Sequence, residues 1–595
     1  MSGKRLSSVL NDQFALFFDL IRWIPVALLV GILAGTASAL LLASLNLATD
    51  LRTAHPWLIL LLAPAGGLVG LLYRYFGTSV EAGNNLILEQ THDPTETIPL
   101  RMTPLILLGT FLTHLFGGSA GREGTAIQTG ASLADQLARP FRMVPRDRRI
   151  LLMAGIGAGF GSVFGTPLAG AVFGIEVLAI GKLSYDAIGP CFLASIIGDI
   201  VTHAWGIHHT IYPLDPAAVP ALNPARVLWT LLAGICFGLV GMAFGVCTHA
   251  ISRAAKRYVR VAPLRPVLGG LLVTIAVFGI GLSHTAKYIG LGIPTIVASF
   301  TTHVASYDFL GKFAFTTLTL GTGFKGGEVT PLFYIGSTLG NALSRLLPLP
   351  APLLAGMGFV AVFSAAANTP VASTLMAAEL FGAEAGVYAG LACVISYLIS
   401  GHTGIYHAQK VGRSKYVSKQ ADEGLSLALV AKLQKASTGD LLDSLNDFGF
   451  IGDNTMEEIS VLRLYFSASE MRKSDSWWRR FAPQTLGHFL LQQASEHGIE
   501  QALLHRVIGG YLNREQLVMD TGEIPPARLP QCLELVGREE QLQSFLKDNQ
   551  DHLRRVRTVF LRGQEAATEA ALEREELEEA LRIEQAPSFS QPGKD

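Results

Sequence analysis

The residues best suited to chemistry are concentrated in three glycine-rich loops that interrupt apolar sequence. Loop 1 is Glu81-Ala-Gly83-Asn84-Asn85-Leu-Ile87, loop 2 is Gly117-Gly-Ser-Ala-Gly121-Arg122-Glu123-Gly124-Thr125, and loop 3 is Gly321-Thr-Gly-Phe-Lys325-Gly-Gly327-Glu328-Val329-Thr330-Pro331. Loops 2 and 3 each precede a short apolar stretch that favours a helix. Unpaired N–H groups at a helix N-terminus, with the positive end of the helix dipole, bind an anion without a full positive charge. The loops therefore predict an anion site.

Loops 2 and 3 each contain one carboxylate next to the glycines. Glu123 can occupy the predicted anion site when it is ionised and leave it when it is protonated, which would exchange an anion for a proton; the alternative is a surface glutamate. Glu328 has two readings, a second proton carrier or a structural partner of Lys325. Isolated carboxylates within a membrane are costly, which favours a functional role for Glu123.

Composition indicates a membrane protein with a soluble tail. The 595 residues are 50% hydrophobic and 16% charged, below the quarter usual in soluble proteins. Charged residues become frequent only beyond about residue 405, which predicts a membrane domain at 1–415, a linker at 416–459, a soluble domain at 460–563 and an acidic tail at 564–595. The chain shows no Ser/His/Asp set, phosphate-loop lysine motif or metal-ligand spacing, so we expect no enzyme, metal or cofactor. The near-neutral charge does not indicate a nucleic-acid partner.

The apolar segments are irregular and repeated. Some are long enough for a span of about 20 residues, but many are shorter and broken by Gly or Pro, as in transporter cores. Thr-Pro precedes a glutamate by ten residues at both Thr166–Glu176 and Thr369–Glu379, and about the same offset of 203 positions relates loop 2 to loop 3. Two related halves predict a site where the halves meet.

Basic residues predict the orientation in a bacterial inner membrane. Clusters lie at 139–149, 253–265 and 410–419, whereas residues 206–224 contain no Lys or Arg. By the positive-inside rule the clusters and both termini are cytosolic and residues 206–224 are external.

The sequence motifs of the three loops resemble those of the CLC family of anion channels and proton-coupled antiporters. The resemblance extends over residues 15–415, in the same order. Gly121–Thr125 resembles the family's GREGP, Gly83–Ile87 its GSGIP and Gly326–Pro331 its GxFxP, and Tyr406 stands where the family has its pore tyrosine. The resemblance implies a mostly α-helical inverted-repeat fold with broken helices, a homodimer with one pore per subunit, and Glu123 as the gating glutamate. The anion-binding residues implied or inferred are Gly83, Asn84, Asn85, Gly121, Arg122, Gly124, Thr125, Gly327, Val329, Thr330 and Tyr406.

Departures from the chloride-type pattern favour fluoride. Asn84 replaces the usual serine, Glu328-Val329-Thr330 replaces an apolar-Phe-small sequence, and Thr125 replaces proline, as in the fluoride-exporting branch. An amide N–H₂ group is a neutral donor suited to a small, strongly hydrogen-bonding anion. We expect fluoride export against protons; a chloride/proton antiporter or a chloride channel is the alternative. The family's inner relay glutamate is absent, since Val177 follows Glu176.

The tail predicts a separate domain. From residue 460 the order is strand, helix, two strands, helix and strand, the βαββαβ pattern of a ferredoxin-like fold. Its opening strand and His505–Tyr511 resemble small PII-like domains, which implies an unidentified small ligand. A membrane-tethered sensor that no longer transports is therefore a further alternative, which deletion of residues 430–595 would test.

Overall fold

The computed structural model describes residues 3–416, 422–436, 456–467, 485–506, 509–510, 518–519, 530–553 and 556–566. The chain divides into two compact units, Met1–Gly439 and Asp440–Asp595. Most of the predicted linker (417–421 and 437–455) and the acidic tail beyond residue 566 lie outside the described residues.

The first unit is helical. Its α-helices are α1 Gly3–Ala54, α2 Leu62–Phe76, α3 Asn84–His92, α4 Met102–Leu115, α5 Glu123–Asp135, α6 Pro145–Phe164, α7 Pro167–Glu176, α8 Ile188–Ala204, α9 Pro224–Tyr258, α10 Leu264–Ile280, α11 Leu282–Thr285, α12 Ile293–Thr301, α13 Asp308–Gly321, α14 Val329–Leu343, α15 Ala351–Ala367, α16 Pro370–Phe381, α17 Ala383–Ile399 and α18 Leu427–Ala436. Short 3₁₀ helices lie at Pro56–Leu61, Thr78–Val80, Tyr185–Ala187 and Pro216–Ala218, and strands β1 (Ala179–Ile180) and β2 (Lys410–Val411) pair in parallel.

Both long and short apolar helices occur, as the sequence predicts. Four helical stretches in the described part of the chain are long and apolar enough to cross a membrane: Ile21–Ala54, Pro56–Phe76, Tyr185–Ala204 and Pro224–Tyr258. Others of 10–17 residues, such as α7 and α16, are too short to span alone. Their ends lie inside the protein, where non-helical backbone is tolerated at membrane depth.

The two predicted halves have matching local structure. Gly165 ends α6 and Asn368 ends α15, both in the left-handed conformation (φ 71° and 58°), and a Thr-Pro pair then starts the next helix in each half. Proline is well suited to the first helical turn because it lacks an N–H group. The 203-residue repeat is therefore structural as well as sequential.

The short helices α7 and α16 cap each other. The Glu176 carboxylate at the end of α7 accepts the Val371 and Ala372 N–H groups at 3.0 and 2.8 Å. Glu379 at the end of α16 accepts the Leu168 and Ala169 N–H groups, both at 2.9 Å. Since the end of each helix meets the start of the other, the two run antiparallel, as inverted repeats require.

The second unit contains a four-stranded antiparallel sheet. Its elements are β3 Met456–Ser467, α19 Leu486–Glu496, β4 Gln501–Arg506, β5 Gly509–Gly510, β6 Val518–Met519, β7 Pro530–Gly537, α20 Glu539–Asp548, α21 Gln550–Leu553 and β8 Arg557–Ala566. The sheet order is β4-β7-β3-β8, and α19 and α20 lie between its strands along the chain. The predicted ferredoxin-like βαββαβ pattern is confirmed. The sheet begins at Met456 and ends at Ala566, slightly outside the predicted range of 460–563, because these two residues pair at the edge.

A buried apolar cluster supports that sheet. Leu462 and Leu464 of β3, Leu533 and Leu535 of β7 and Phe545 of α20 are fully buried in it. The alternation along β3 and β7 places these side chains on one face, towards the helices. The PII-like resemblance itself stays a prediction, and part of its motif, residues 507–508 and 511, lies outside the described residues.

Candidate anion site

Three helices begin around one point in the first unit. Helix α3 begins at Asn84, α5 at Glu123 and α14 at Val329, so each of the three loops delivers a helix N-terminus. Loops 2 and 3 are bonded directly: the Gly121 N–H donates to the Gly327 carbonyl at 2.6 Å, and the Gly327 N–H donates to the Gly121 carbonyl at 2.8 Å. The pairing brings two positive helix ends together, one from each half of the repeat.

The Glu123 carboxylate lies between these helix ends and is fully buried. Its Oε2 accepts the Arg122 N–H and the Thr330 N–H, both at 3.0 Å. Its Oε1 accepts the Thr330 hydroxyl, and the Arg122 Nε lies 3.8 Å away. The donors predicted to bind an anion therefore hold the Glu123 side-chain carboxylate.

Close approach explains the glycines of the paired loops. A Cβ atom on Gly121 would lie 2.6 Å from Glu123 Oε2 and 3.0 Å from the Gly327 carbonyl oxygen. A Cβ on Gly124 would lie 3.1 Å from both Asn84 Nδ2 and Gly327 Cα. These distances are at or below the limit for real Cβ contacts, so a larger residue at either position would push the loops or the carboxylate apart.

A small cavity of about 10 Å³ lies beside Asn84 and Tyr406. Its other lining residues are apolar: Ile87, Leu88, Ile127, Ile156, Phe173 and Val177. Asn84 Oδ1 and the Tyr406 hydroxyl are buried and have no hydrogen-bond partner in the described part of the chain. The volume is about that of one water-sized species. The cavity therefore combines two unpaired polar side chains with room for a single small ion.

Glu328 shares this region without a partner. Its Oε2 is buried and accepts no hydrogen bond from the described residues. Lys325 does not pair with it; the Lys325 ammonium lies 3.9 Å from the centre of the Tyr73 ring, in a cation–π contact. The pairing considered as an alternative from sequence is therefore not the one observed. Glu328 and Glu123 lie within electrostatic reach of each other and of Tyr406.

Two residues predicted to bind the anion have other contacts. The Asn85 Oδ1 accepts the Ala408 N–H at 3.0 Å, which ties loop 1 to the segment that follows Tyr406. The Thr125 hydroxyl lies 2.6 Å from that of Thr110 on α4. Both side chains therefore help to hold the loops in place, and an anion-binding role for these two residues stays a prediction. Gly83 (φ 59°) lies against Gln128 of α5, and Val329 is fully buried.

Three histidines near the loops make hydrogen bonds or ring contacts with neighbouring residues. The His114 ring nitrogens lie 2.8 and 3.0 Å from the Thr110 and Ala120 carbonyls, and His402 Nδ1 lies 2.8 Å from Asp422. His407 packs on His249 with ring centres 3.6 Å apart. These contacts give the three histidines structural roles.

A fully buried lysine behind loop 2 was missed from sequence. The Lys312 ammonium donates to the Tyr288 and Gly290 carbonyls at 3.1 and 2.6 Å. Ser119 of loop 2 donates to the same Tyr288 carbonyl at 2.7 Å. Lys312 thus supports the loop through these carbonyls. The signal was a single charged residue within the apolar segment 309–321.

Replacing Glu176 by alanine is expected to lower the stability of the membrane unit by about 2 kcal/mol, because two N–H groups of α16 lose a buried charged acceptor. Thermal unfolding of the purified protein in detergent measures the effect. Glu176→Gln keeps one acceptor oxygen, so its melting temperature should lie between those of the unaltered protein and Glu176→Ala. An unchanged melting temperature for Glu176→Ala would contradict the capping role.

Comparison with known proteins identifies the family. A family model described as voltage gated chloride channel matches residues 65–401. A chloride/fluoride channel protein of Pseudomonas syringae pv. tomato is 55% identical over 419 residues, covering 70% of this chain and 92% of that protein. A voltage-gated ClC-type chloride channel, ClcB, of Escherichia coli O157:H7 is 29% identical over 424 residues, which cover 64% of this chain and 96% of that protein.

Solved structures agree with these relatives. A CLC-type fluoride/proton antiporter is 36% identical with a TM-score of 0.64, covering 66% of this chain and 99% of that one. A slow cyanobacterial Cl⁻/H⁺ antiporter is 19% identical with a TM-score of 0.56 over 70% of this chain and 99% of that one, and shows the fold. The chain therefore belongs to the voltage gated chloride channel (CLC) family of membrane transport proteins.

Proposed function

We propose that this protein exports fluoride across a bacterial inner membrane in exchange for protons. The observation that carries the proposal is the position of the Glu123 carboxylate, which is held by N–H donors from both halves of the repeat. A relative named a chloride/fluoride channel protein and a structural neighbour described as a fluoride/proton antiporter support the choice of ion.

In the proposed cycle, the ionised Glu123 and fluoride compete for the same donors. Protonation removes the charge of Glu123 and weakens its hold on the Arg122 and Thr330 N–H groups, because hydrogen bonds to an ionised acceptor are the stronger ones. The side chain then leaves and an anion takes its place. When the proton is released, the carboxylate returns and displaces the ion. One proton is thus exchanged for each exit of the carboxylate.

Glu328 supplies a second proton position in this proposal. Its buried and unbonded Oε2 lies close enough to the Glu123 and Tyr406 side chains to interact with them electrostatically. Val177 lines the small cavity where the family's relay position would add an inner carboxylate. A proton can therefore pass between Glu123 and Glu328 without that inner residue.

Selectivity for fluoride is proposed to arise at Asn84 and Thr330. The Asn84 amide Nδ2 lies beside Gly124, and the Thr330 hydroxyl already donates to an anionic oxygen. Neutral N–H and O–H donors of this kind suit a small anion that forms strong hydrogen bonds. A larger, softer halide would need more room and would form weaker hydrogen bonds with the same donors.

Anion efflux from proteoliposomes tests the choice of ion. Liposomes loaded with fluoride should empty faster than those loaded with chloride, and Asn84→Ser should reduce the fluoride-to-chloride rate ratio by about tenfold, the value of one good hydrogen bond to an ion. Asn46→Ser, an exposed position on α1, is the matched control and should keep the ratio. Faster chloride than fluoride efflux in the unaltered protein would reassign the ion.

We also propose the membrane orientation, the assembly and the role of the second unit as the sequence predicts them. Both termini are placed in the cytosol, residues 206–224 outside, and two copies of residues 1–415 form a dimer with one pore each. Residues 460–563 are proposed as a PII-like cytosolic domain that binds a small ligand. The ferredoxin-like strand order supports the latter assignment.

A further inference from the structure

A cluster of two histidines and one aspartate lies at the end of helix α8, away from the three loops. Asp199 and His203 are one helical turn apart, and His209 comes from the following segment, residues 205–223, the α8–α9 loop. One ligand atom from each side chain lies within 4.8 Å of the others. The sequence predicts no metal site, and the pattern was missed because the third ligand comes from a loop without regular spacing.

His209 is held in place with its ring nitrogens unpaired. Both ring nitrogens, and Oδ1 of Asp199, are buried and have no hydrogen-bond partner within the described ranges. The ring packs against Gly165, where a Cβ atom would lie 2.5 Å from His209 Cδ2. Buried polar atoms are normally hydrogen-bonded, and an unpaired one is costly. A fixed imidazole with two free nitrogens is arranged for a ligand.

The distances suit a tetrahedral transition-metal ion. The Asp199 Oδ1 lies 3.3 Å from His203 Nδ1 and 3.6 Å from His209 Nε2. Ligands bound at about 2.0–2.2 Å in a Zn²⁺ tetrahedron are about 3.3–3.5 Å apart. Two imidazoles with one carboxylate favour Zn²⁺ over Mg²⁺ or Ca²⁺, which prefer oxygen ligands throughout.

One existing contact must be exchanged when a metal ion binds. The Nδ1 of His203 donates to the Asp199 carbonyl at 3.0 Å. The His203 side chain is 49% exposed, so its ring can give up that bond or turn to offer its other nitrogen. A fourth position would remain for water, as at zinc sites with three protein ligands.

The loop that carries His209 also packs against helices of the second half. Tyr212, three residues on, packs on Phe359 of α15 and Phe381 of α16, with ring centres 4.9 and 6.3 Å apart. An ion that joins His209 to α8 would therefore restrain a segment that packs on α15 and α16.

We propose that Asp199, His203 and His209 form a binding site for a divalent transition-metal ion of the Zn²⁺ class, and that the bound ion restrains residues 205–214. The site lies on the face predicted to be external. Because fluoride takes no part in metal binding, a test of the metal site does not depend on which ion the protein transports.

Calorimetric titration of the full-length, tag-free protein with Zn²⁺ in detergent tests the site. One high-affinity ion per chain is expected, with a Kd raised about tenfold or more in His209→Ala, since one of three ligands is lost. His208→Ala is the matched control, because His208 is the exposed neighbour of His209 and lies outside the cluster. Hydrogen exchange in residues 205–214 should slow when Zn²⁺ binds, and only when His209 is present.

Three results would overturn the proposed metal site itself. The first is the absence of saturable Zn²⁺ binding in the intact protein, and the second is an equal Kd in His209→Ala and His208→Ala. The third is unchanged hydrogen exchange in residues 205–214 at saturating Zn²⁺. Equal affinity for Mg²⁺ would refute the assignment to the Zn²⁺ class.

Discussion

Replacing Glu123 by alanine is expected to reduce proton movement to the level of protein-free liposomes while fluoride still crosses the membrane. The alanine side chain has no group to protonate, yet the Arg122 and Thr330 N–H donors that hold the carboxylate remain available to an anion. Simultaneous recording of fluoride and external pH in proteoliposomes separates the two fluxes.

A matched variant distinguishes this effect from a general loss of charge. Glu89 is an exposed carboxylate on α3, the helix that begins at Asn84, and Glu89→Ala should keep both fluxes. Fluoride-coupled proton uptake that persists in Glu123→Ala would assign the coupling carboxylate elsewhere, with Glu328 the next to test.

Replacing Gly121 by alanine is expected to lower both the fluoride and the proton flux by about tenfold or more. The added Cβ would lie 2.6 Å from Glu123 Oε2 and 2.8 Å from Pro331 Cδ, so the carboxylate or the paired loops must move. Overpacking of this kind costs about 1–3 kcal/mol. The flux assay should be accompanied by size-exclusion chromatography to confirm that the variant is folded.

Gly279→Ala is the control for this substitution. Gly279 lies in α10, and an added Cβ there meets no atom within 4 Å. It should leave both fluxes unchanged. If Gly121→Ala also transports at the normal rate, the close pairing of loops 2 and 3 is not needed for function.

Features set by short motifs were predictable from the sequence. Glycine-rich loops 2 and 3 predicted helix N-termini, and two helices begin there, at Glu123 and Val329. The helix that begins at Asn84 in loop 1 was not predicted. The Thr-Pro repeats predicted two related halves, and Gly165 and Asn368 end equivalent helices in the same conformation. Such features depend on local backbone preferences, so residue types and their spacing along the chain are enough to predict them.

Partners that depend on tertiary contacts were less accessible. Asn85 and Thr125 sit inside the motifs but bond to Ala408 and Thr110, in segments that the sequence does not connect to them. Lys325 lies three residues before Glu328, yet it packs on Tyr73 of α2. The alternative Lys325–Glu328 pair, suggested by proximity along the chain, is not observed because the loops are held by distant helices as much as by their own residues.

The reciprocal caps are an intermediate case. The repeat of Glu176 and Glu379 is visible in the sequence, and each glutamate accepts two N–H groups. That each caps the other half's helix required the antiparallel packing of α7 and α16, which only the structure supplies.

The most direct test of proton-coupled fluoride export is whether an outward fluoride gradient drives protons inward against their own gradient. Proteoliposomes are loaded with fluoride, placed in fluoride-free medium at slightly higher external pH, and voltage-clamped with a potassium ionophore. The carboxylate exchange at Glu123 predicts that the external medium becomes more alkaline as fluoride leaves. Fluoride efflux without uphill proton movement would contradict it and make the protein a passive anion channel.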